Sequence, residues 1–235
     1  MSNELIELGK KNAANKAVEE NVKEGMVLGI GSGSTVVYAV KKIAEINKTK
    51  NLNLKCIPSS FQSRQLIVEN GLTLVSLDQY PIIDLDIDGA DEIDESLNLI
   101  KGGGGCLVQE KILASAAKKF VIIADYTKKS DILGENWDNG VPIEIIPSAL
   151  VPILMKLEKL EGKPVLRMAK AKAGPVVSDN GNFIVDVDFG QIKNPSDLNL
   201  KILQIPGVVD SGLFLAMAQT AYIGQKDGTV KKIQI

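Results

Sequence analysis

The sequence predicts an α/β fold, with a mostly parallel sheet covered by helices on both faces and a smaller α+β unit beside it. Two observations carry this expectation. Through the first half of the chain, short apolar runs alternate with segments of helical periodicity, the pattern of parallel strands joined by crossover helices. From about Ile132 the order becomes strand, helix, strand, hairpin strand, helix, strand, which is the split βαβ or ferredoxin-like arrangement.

The elements follow in order. A helical N-terminal segment, Glu4 to Val22, precedes a buried-strand candidate at Met26 to Gly31. The next helix carries Val36, Val37, Val40, Ile43 and Ala44 on one face. Leu54 to Pro58 reads as a strand, and Ser59 or Ser60 can cap a helix that stops at Gly71. Leu72 to Ser76, Ile82 to Asp88 and Leu97 to Lys101 read as strands, the last running into a glycine cluster. Leu107 to Lys118 reads as a helix and Phe120 to Asp125 as a strand. The second half gives strand Val141 to Ile146, helix Ala149 to Leu160, strand Pro164 to Ala171, strand Asn182 to Phe189, helix Ser196 to Gln204 and strand Val208 to Leu215. Asp179-Asn180-Gly181 forms the hairpin turn, and a last strand pair, Ala221 to Gly224 and Val230 to Ile235, flanks Lys226-Asp227-Gly228. There is no internal repeat or low-complexity tract.

Composition narrows the chemistry. The 235 residues contain no histidine, which excludes Ser-His-Asp and Cys-His nucleophile systems, imidazole metal sites and a histidine general base. Acid-base work must fall to Asp, Glu, Lys, Cys or Tyr. A net charge of -2 gives no electrostatic footprint for nucleic acid. Arg64 and Arg167 are the sole arginines, so anion binding rests mostly on lysine, hydroxyls and backbone N–H groups. Cys56 and Cys106 are too few for a disulfide framework. With no signal-peptide run and no apolar stretch of about 18 residues, a cytoplasmic protein without membrane contact is expected.

Four segments carry candidate chemistry. Gly29-Ile30-Gly31-Ser32-Gly33-Ser34-Thr35 lies at a strand-to-helix junction, where Ser34, Thr35 and free helix N–H groups suit a phosphate. It lacks the lysine of a Walker A loop and the third glycine of the dinucleotide fingerprint, so a small phosphorylated molecule is preferred over a nucleotide. A capped tight turn is the alternative. Asp84 to Glu95 satisfies the EF-hand string, but a β-prone segment with Pro81 precedes it and glycines follow instead of an exiting helix. The preferred reading is a strand that delivers carboxylates to its C-terminal end, with Asp88 and Asp91 suited to sugar hydroxyls or proton exchange. Asp84 and Asp86 share the face of Asp88 and are read as solvated or paired.

Lys101-Gly102-Gly103-Gly104-Gly105-Cys106 leads into the helix containing Glu110. The glycines suggest close backbone approach to a ligand, and Lys101 could neutralise a developing oxyanion. Cys106 is read as a small buried residue. Ala124-Asp125-Tyr126-Thr127-Lys128-Lys129 follows another strand end and offers Lys128 to an anion. Polar or glycine-rich segments at successive strand ends converge on one crevice.

These residues closely resemble ribose-5-phosphate isomerase of the A type, nearly end to end. The resemblance rests on GIGSGST (Gly29 to Thr35), Pro58-Ser59-Ser60, DGADEID (Asp88 to Asp94), KGGGGCLVQEKILA (Lys101 to Ala114), Ala124 to Gly134 and Ile205 to Phe214. It implies interconversion of D-ribose 5-phosphate and D-ribulose 5-phosphate in the pentose phosphate pathway, without cofactor or metal. Glu110 matches the family's general base, and the substrate-contacting segments map to Ser32, Gly33, Ser34, Thr35, Asp88, Gly89, Ala90, Asp91, Lys101, Gly102, Gly103, Gly104 and Lys128. Asp88, Asp91 and Lys101 join Glu110 as expected catalytic residues, with Lys10 or Lys11 as a further phosphate contact. The resemblance also implies a Rossmann-like domain of 1–132 and 207–235, interrupted by a ferredoxin-like α+β domain of 133–206, and a homodimer or homotetramer. Gly105-Cys106 is a mild variant of the family pattern. A sugar-phosphate-sensing module is the alternative, against which stands the lack of a helix-turn-helix segment or basic patch. A CoA-transferase, which uses a related loop, would need a glutamate nucleophile and a CoA site.

Overall fold

The structure, a computed structural model, describes residues 2–235. The chain begins with α1 (Ser2–Asn21), β1 (Val27–Ile30), α2 (Val36–Lys50), β2 (Lys55–Pro58), α3 (Phe61–Glu69), β3 (Thr73–Leu74) and β4 (Leu85–Asp88). It continues through β5 (Glu92–Ile93), β6 (Leu99–Ile100), α4 (Leu107–Ala116), β7 (Phe120–Asp125), β8 (Val141–Ile145), α5 (Leu150–Lys159) and β9 (Lys163–Leu166). Last come β10 (Phe183–Asp188), α6 (Pro195–Leu203), β11 (Val208–Ser211), β12 (Leu213–Phe214), β13 (Thr220–Gly224) and β14 (Val230–Gln234).

Two compact units result. The first comprises the chain up to Ala90, Gln109–Lys128 and Ala216–Ile235; the second is Asp91–Val108 and Lys129–Leu215. In the first, seven strands lie in the order β14-β13-β7-β4-β1-β2-β3, parallel except for β14. Strands β1, β4 and β7 are buried along their whole length, as expected for a parallel sheet covered on both faces. One covering layer comes from α2, which buries Val36, Ala39, Val40, Ile43 and Ile46, and from α1, which buries Ala13, Ala14, Ala17 and Val18. Ser60 caps α3 in a capping box with Ser63. The strand order runs one way from β1 and the other way from β4, so the switch point lies between these two strands. Open α/β sheets bind ligands at the carboxyl ends of strands there.

In the second unit the antiparallel order is β11-β8-β10-β9. Strand β10 separates the pair joined by α5, and β8 separates the pair joined by α6, which is the split βαβ. Ile143, Ile145, Ile153, Leu157, Val185, Val187 and Ile202 form its core. A three-stranded sheet, β12-β6-β5, adds to this unit. Its β5–β6 turn is tied by Asp94, whose carboxylate accepts from the N–H groups of Ser96 at 2.9 Å and Asn98 at 2.8 Å. These bonds hold buried Leu97 at a φ of 58°, in the left-handed region.

Four expectations differ from this architecture. The segment Val208 to Leu215 is two strands in two sheets, broken at Gly212. That residue packs so closely on Lys101 and Pro142 that a Cβ would lie 2.2 Å from the Lys101 carbonyl oxygen. Strand β9 stops at Leu166; beyond it isolated bridges join Met168 to Pro175 and Val177 to Phe183. Leu72 to Ser76 shrinks to the two residues of β3. The units also depart from the expected 1–132 plus 207–235 and 133–206, because the β5–β6 hairpin pairs with β12 and draws 91–108 into the second unit. No helix among the described residues is long and apolar enough to cross a membrane.

Candidate active site

Within the first unit the site is built where β1 and β4 end side by side. Gly29 faces Asp86 in the register, and Gly31 continues the same row opposite Asp88. A Cβ on Gly29 would lie 2.5 Å from Asp86 Oδ1, and one on Gly31 would lie 1.9 Å from Asp88 Oδ1. These glycines therefore make room for two buried carboxylates of the neighbouring strand. Asp88 is fully buried, and its Oδ1 accepts the N–H of Ser32 at 3.0 Å and of Gly89 at 2.7 Å. Asp88 thus fixes the start of both loops.

The Ser32 hydroxyl lies 2.9 Å from Ser59 Oγ and donates to Ser60 Oγ at 2.7 Å. The Gly33 N–H donates to Gln62 Oε1 at 2.8 Å. Ser59, Ser60 and Gln62 shape this loop; the sequence marks Ser59 and Ser60 through helix capping and the Pro58-Ser59-Ser60 segment of the resemblance, and does not mark Gln62. Ser34 is exposed and Thr35 buried, and no side chain caps the N-terminus of α2. The first-turn N–H groups of α2 thus form an anion-favouring end flanked by two hydroxyls.

Glu110 stands in the first turn of α4 and is 4% exposed. Lys128 ends a 3-10 turn after β7, half-buried, while Asp125 ties that turn by accepting the Thr127 N–H at 3.0 Å. Gly89 and Ala90 follow Asp88 on the loop, half-buried. Lys10 is engaged on its own helix, 2.8 Å from Glu7, and Lys11 is exposed. Asp84 accepts from Lys118 Nζ at 2.7 Å and from the Val27 N–H at 2.9 Å. Those two bonds hold its carboxyl below the ordinary range, and its role is structural.

The second unit contributes its own cluster. Asp91 accepts the Gly103 N–H at 2.7 Å, and Gly105 N–H closes a turn onto Gly102 O at 2.9 Å. Gly102 and Gly105 have φ of 103° and 83°, which glycine alone adopts without strain. Lys101 is 2% exposed, its Nζ sits 5.4 Å from the Phe214 ring centroid, and its N–H donates to Gly212 O at 2.9 Å. Cys106 is half-buried rather than buried, with Sγ 3.6 Å from Gly104 O.

Glu92, beside Asp91, is fully buried. It accepts the Ser130 hydroxyl at 2.5 Å and the N–H groups of Gly134, Glu135 and Asn136 at 2.6, 3.0 and 2.7 Å. The EF-hand-like string is therefore β4, a loop and β5, with no entering or exiting helix. Among the described residues no group of three or more Cys, Asp or Glu side chains could hold a metal ion.

Residues 55–228 match the family described as ribose 5-phosphate isomerase A (phosphoriboisomerase A). The ribose-5-phosphate isomerase of Sus scrofa is 57% identical over 225 residues, covering 95% of this chain and 74% of that protein. This chain belongs to the ribose 5-phosphate isomerase A family. The ribose-5-phosphate isomerase of Dictyostelium discoideum is 56% identical, covering 94% of this chain and 96% of its own length. The solved ribose 5-phosphate isomerase A of Methanocaldococcus jannaschii aligns with a TM-score of 0.92 at 38% identity, over 100% of both chains. A solved D-ribose-5-phosphate isomerase in complex with phospho-erythronic acid aligns with a TM-score of 0.92 at 40% identity, over 96% of this chain and 97% of that one. The family match starts at Lys55, so the glycine loop after β1 falls outside it and inside the longer isomerase alignments.

Proposed function

We propose that this protein is an isomerase that interconverts D-ribose 5-phosphate and D-ribulose 5-phosphate through an enediolate. One observation carries the reading: two buried carboxylates, Asp88 and Glu110, belong to the unit whose α2 N-terminus is left uncapped at a topological switch point. An aldose-ketose isomerisation moves a proton between C2 and C1. A single carboxylate on one face of the substrate can remove and return it.

Glu110 takes that role. Asp88 assists ring opening and proton exchange at the sugar oxygens. Lys101 and backbone N–H groups of the Gly102–Gly104 loop stabilise the enediolate oxygen, where a fixed positive charge in a water-poor site acts strongly. Asp91 shapes that loop through its bond to Gly103. Ser34, Thr35, the α2 N-terminus and Lys128 hold the phosphate, with Ser32 and Gly33 setting the loop that carries them. The place of the reaction is the non-oxidative pentose phosphate pathway. A cytoplasmic location, homodimer or homotetramer assembly and independence from metal belong to the same reading.

Incubation of the unmodified protein with ribose 5-phosphate in deuterium oxide, with excess EDTA, tests it. Ketose formation with deuterium entering the C2 position of recovered aldose is expected, without any acyl donor. Absence of turnover contradicts the isomerase reading, and turnover abolished by EDTA contradicts its metal independence.

A further inference from the structure

Arg167 is one of two arginines in the chain, and the candidate chemistry leaves it unused. Its backbone is pinned on both sides: the N–H donates to Ile184 O and the carbonyl accepts from Val176, each at 2.9 Å. Its guanidinium forms a fork on Asp186, with Nε to Oδ2 at 2.8 Å and Nη2 to Oδ1 at 2.5 Å. The pair is mostly enclosed, the two side chains being 16% and 19% exposed. The remaining nitrogen, Nη1, donates to Gly102 O at 3.0 Å and Gly103 O at 3.2 Å. A side chain held at its base and along its fork thus grips two successive carbonyls of the glycine loop.

The grip has a stereochemical consequence. In a planar trans peptide the C=O and the following N–H point in opposite directions. Holding Gly102 O therefore turns the Gly103 N–H away from Arg167, and that N–H meets Asp91 Oδ2 at 2.7 Å. Holding Gly103 O turns the Gly104 N–H away from Arg167 in the same manner. Gly104 is exposed, and a Cβ there would meet nothing within 4 Å. Unsupported glycines would cost the loop this definition, since they have the broadest backbone freedom.

We propose that Arg167, anchored on Asp186, is a positioning residue that sets the peptide planes of the Gly102–Gly104 loop and aims the Gly104 N–H at the enediolate oxygen. The proposal rests on the isomerase reading above.

The test uses the full chain carrying R167M or R167K. R167M removes the charge; R167K keeps it but cannot engage Asp186 and two carbonyls at once. Loss of one oxyanion donor predicts a fall of about 10²-fold in kcat with little change in KM. Inhibition by phospho-erythronic acid, whose planar carboxylate stands in for the enediolate, weakens in parallel with kcat/KM, whereas inhibition by inorganic phosphate is unchanged. Should R167M fail to fold, R167K and D186N supply the same readouts. Amide resonances of Gly103 and Gly104 report the loop without turnover, and they shift in R167K if the grip is real. Unmoved resonances, or a folded R167K with wild-type kcat and analogue affinity, overturn the proposal. An unmodified chain without turnover overturns the isomerase reading instead, and the resonances still decide whether Arg167 sets the loop.

Discussion

Gly31 and Asp88 divide one small volume between them. The missing side chain on one strand is what allows a buried carboxylate on the next, so the glycine is as much a part of the candidate site as the acid. Gly31→Ala is expected to lower stability by about 1–3 kcal/mol through overpacking and to reduce turnover by displacing Asp88. Gly104→Ala, with open space around the added methyl, is expected to stay within about 0.5 kcal/mol of the parent. Urea unfolding of both variants checks the contrast, and equal losses would contradict it. The sequence shows these glycines and suggests room for an anion. It does not show that the room is first taken by the protein's own Asp86 and Asp88 side chains, because that depends on the pairing of β1 with β4 across more than fifty residues.

Among the elements, the smallest carry the most of what sequence reading leaves out. Long periodic segments such as α2, β7, β8 and α5 are legible because apolar spacing alone defines them. Strands β5, β6 and β12 have two residues each, too few to display a period, and they exist through antiparallel pairing on β6: Leu213 with Ile100 and Phe214 with Leu99 on one side, Glu92 with Ile100 and Ile93 with Leu99 on the other. Glu92 on β5 is the clearest case. Read within an acidic string it is one carboxylate among several, yet it gathers Ser130 and three N–H groups of the following loop. Glu92→Gln removes a charged acceptor and is expected to cost about 1.5–3 kcal/mol. A shift of the urea midpoint to lower concentration, at unchanged slope, is the expected result. An unmoved midpoint would mean that the loop holds without it.

At the scale of the molecule, the lack of histidine shapes the dependence of stability on pH. Groups with displaced titration lie at the two ends of the scale. Lys10 and Tyr38 hold the Glu7 carboxyl low, Lys232 and Tyr222 hold that of Glu20 low, and Lys118 that of Asp84. Each favours the folded state once ionised; this contribution is present above the ordinary carboxylate values of 4.5 and 3.8 and is lost as pH falls through the lower folded values. Tyr38, beside Glu7, and Tyr222, buried and beside Glu20, are raised above 10.0, and their contribution is lost as pH rises beyond that value. A thermal midpoint that is flat from about pH 5 to 9 and falls on both sides is therefore expected. Glu20→Gln, which touches both Tyr222 and Lys232, should flatten both limbs, and a midpoint that steps near pH 6.5 would contradict the account. Fold class and the strand-end loops are thus readable from the chain, and the structure adds that the candidates Glu110, Asp88 and Lys101 are buried. The Arg167 grip and the Ser59, Ser60 and Gln62 supports are not readable there, since each depends on contacts between distant segments.

In the proposed reaction one buried carboxylate, Glu110, shuttles the proton between C2 and C1. The direct measurement is kcat of Glu110→Gln on ribose 5-phosphate, with folding checked by circular dichroism and deuterium entry at C2 followed in parallel. A folded protein whose turnover and deuterium exchange both fall by about 10²–10⁴-fold is expected. A folded Glu110→Gln that turns over ribose 5-phosphate at the unmodified rate would contradict it.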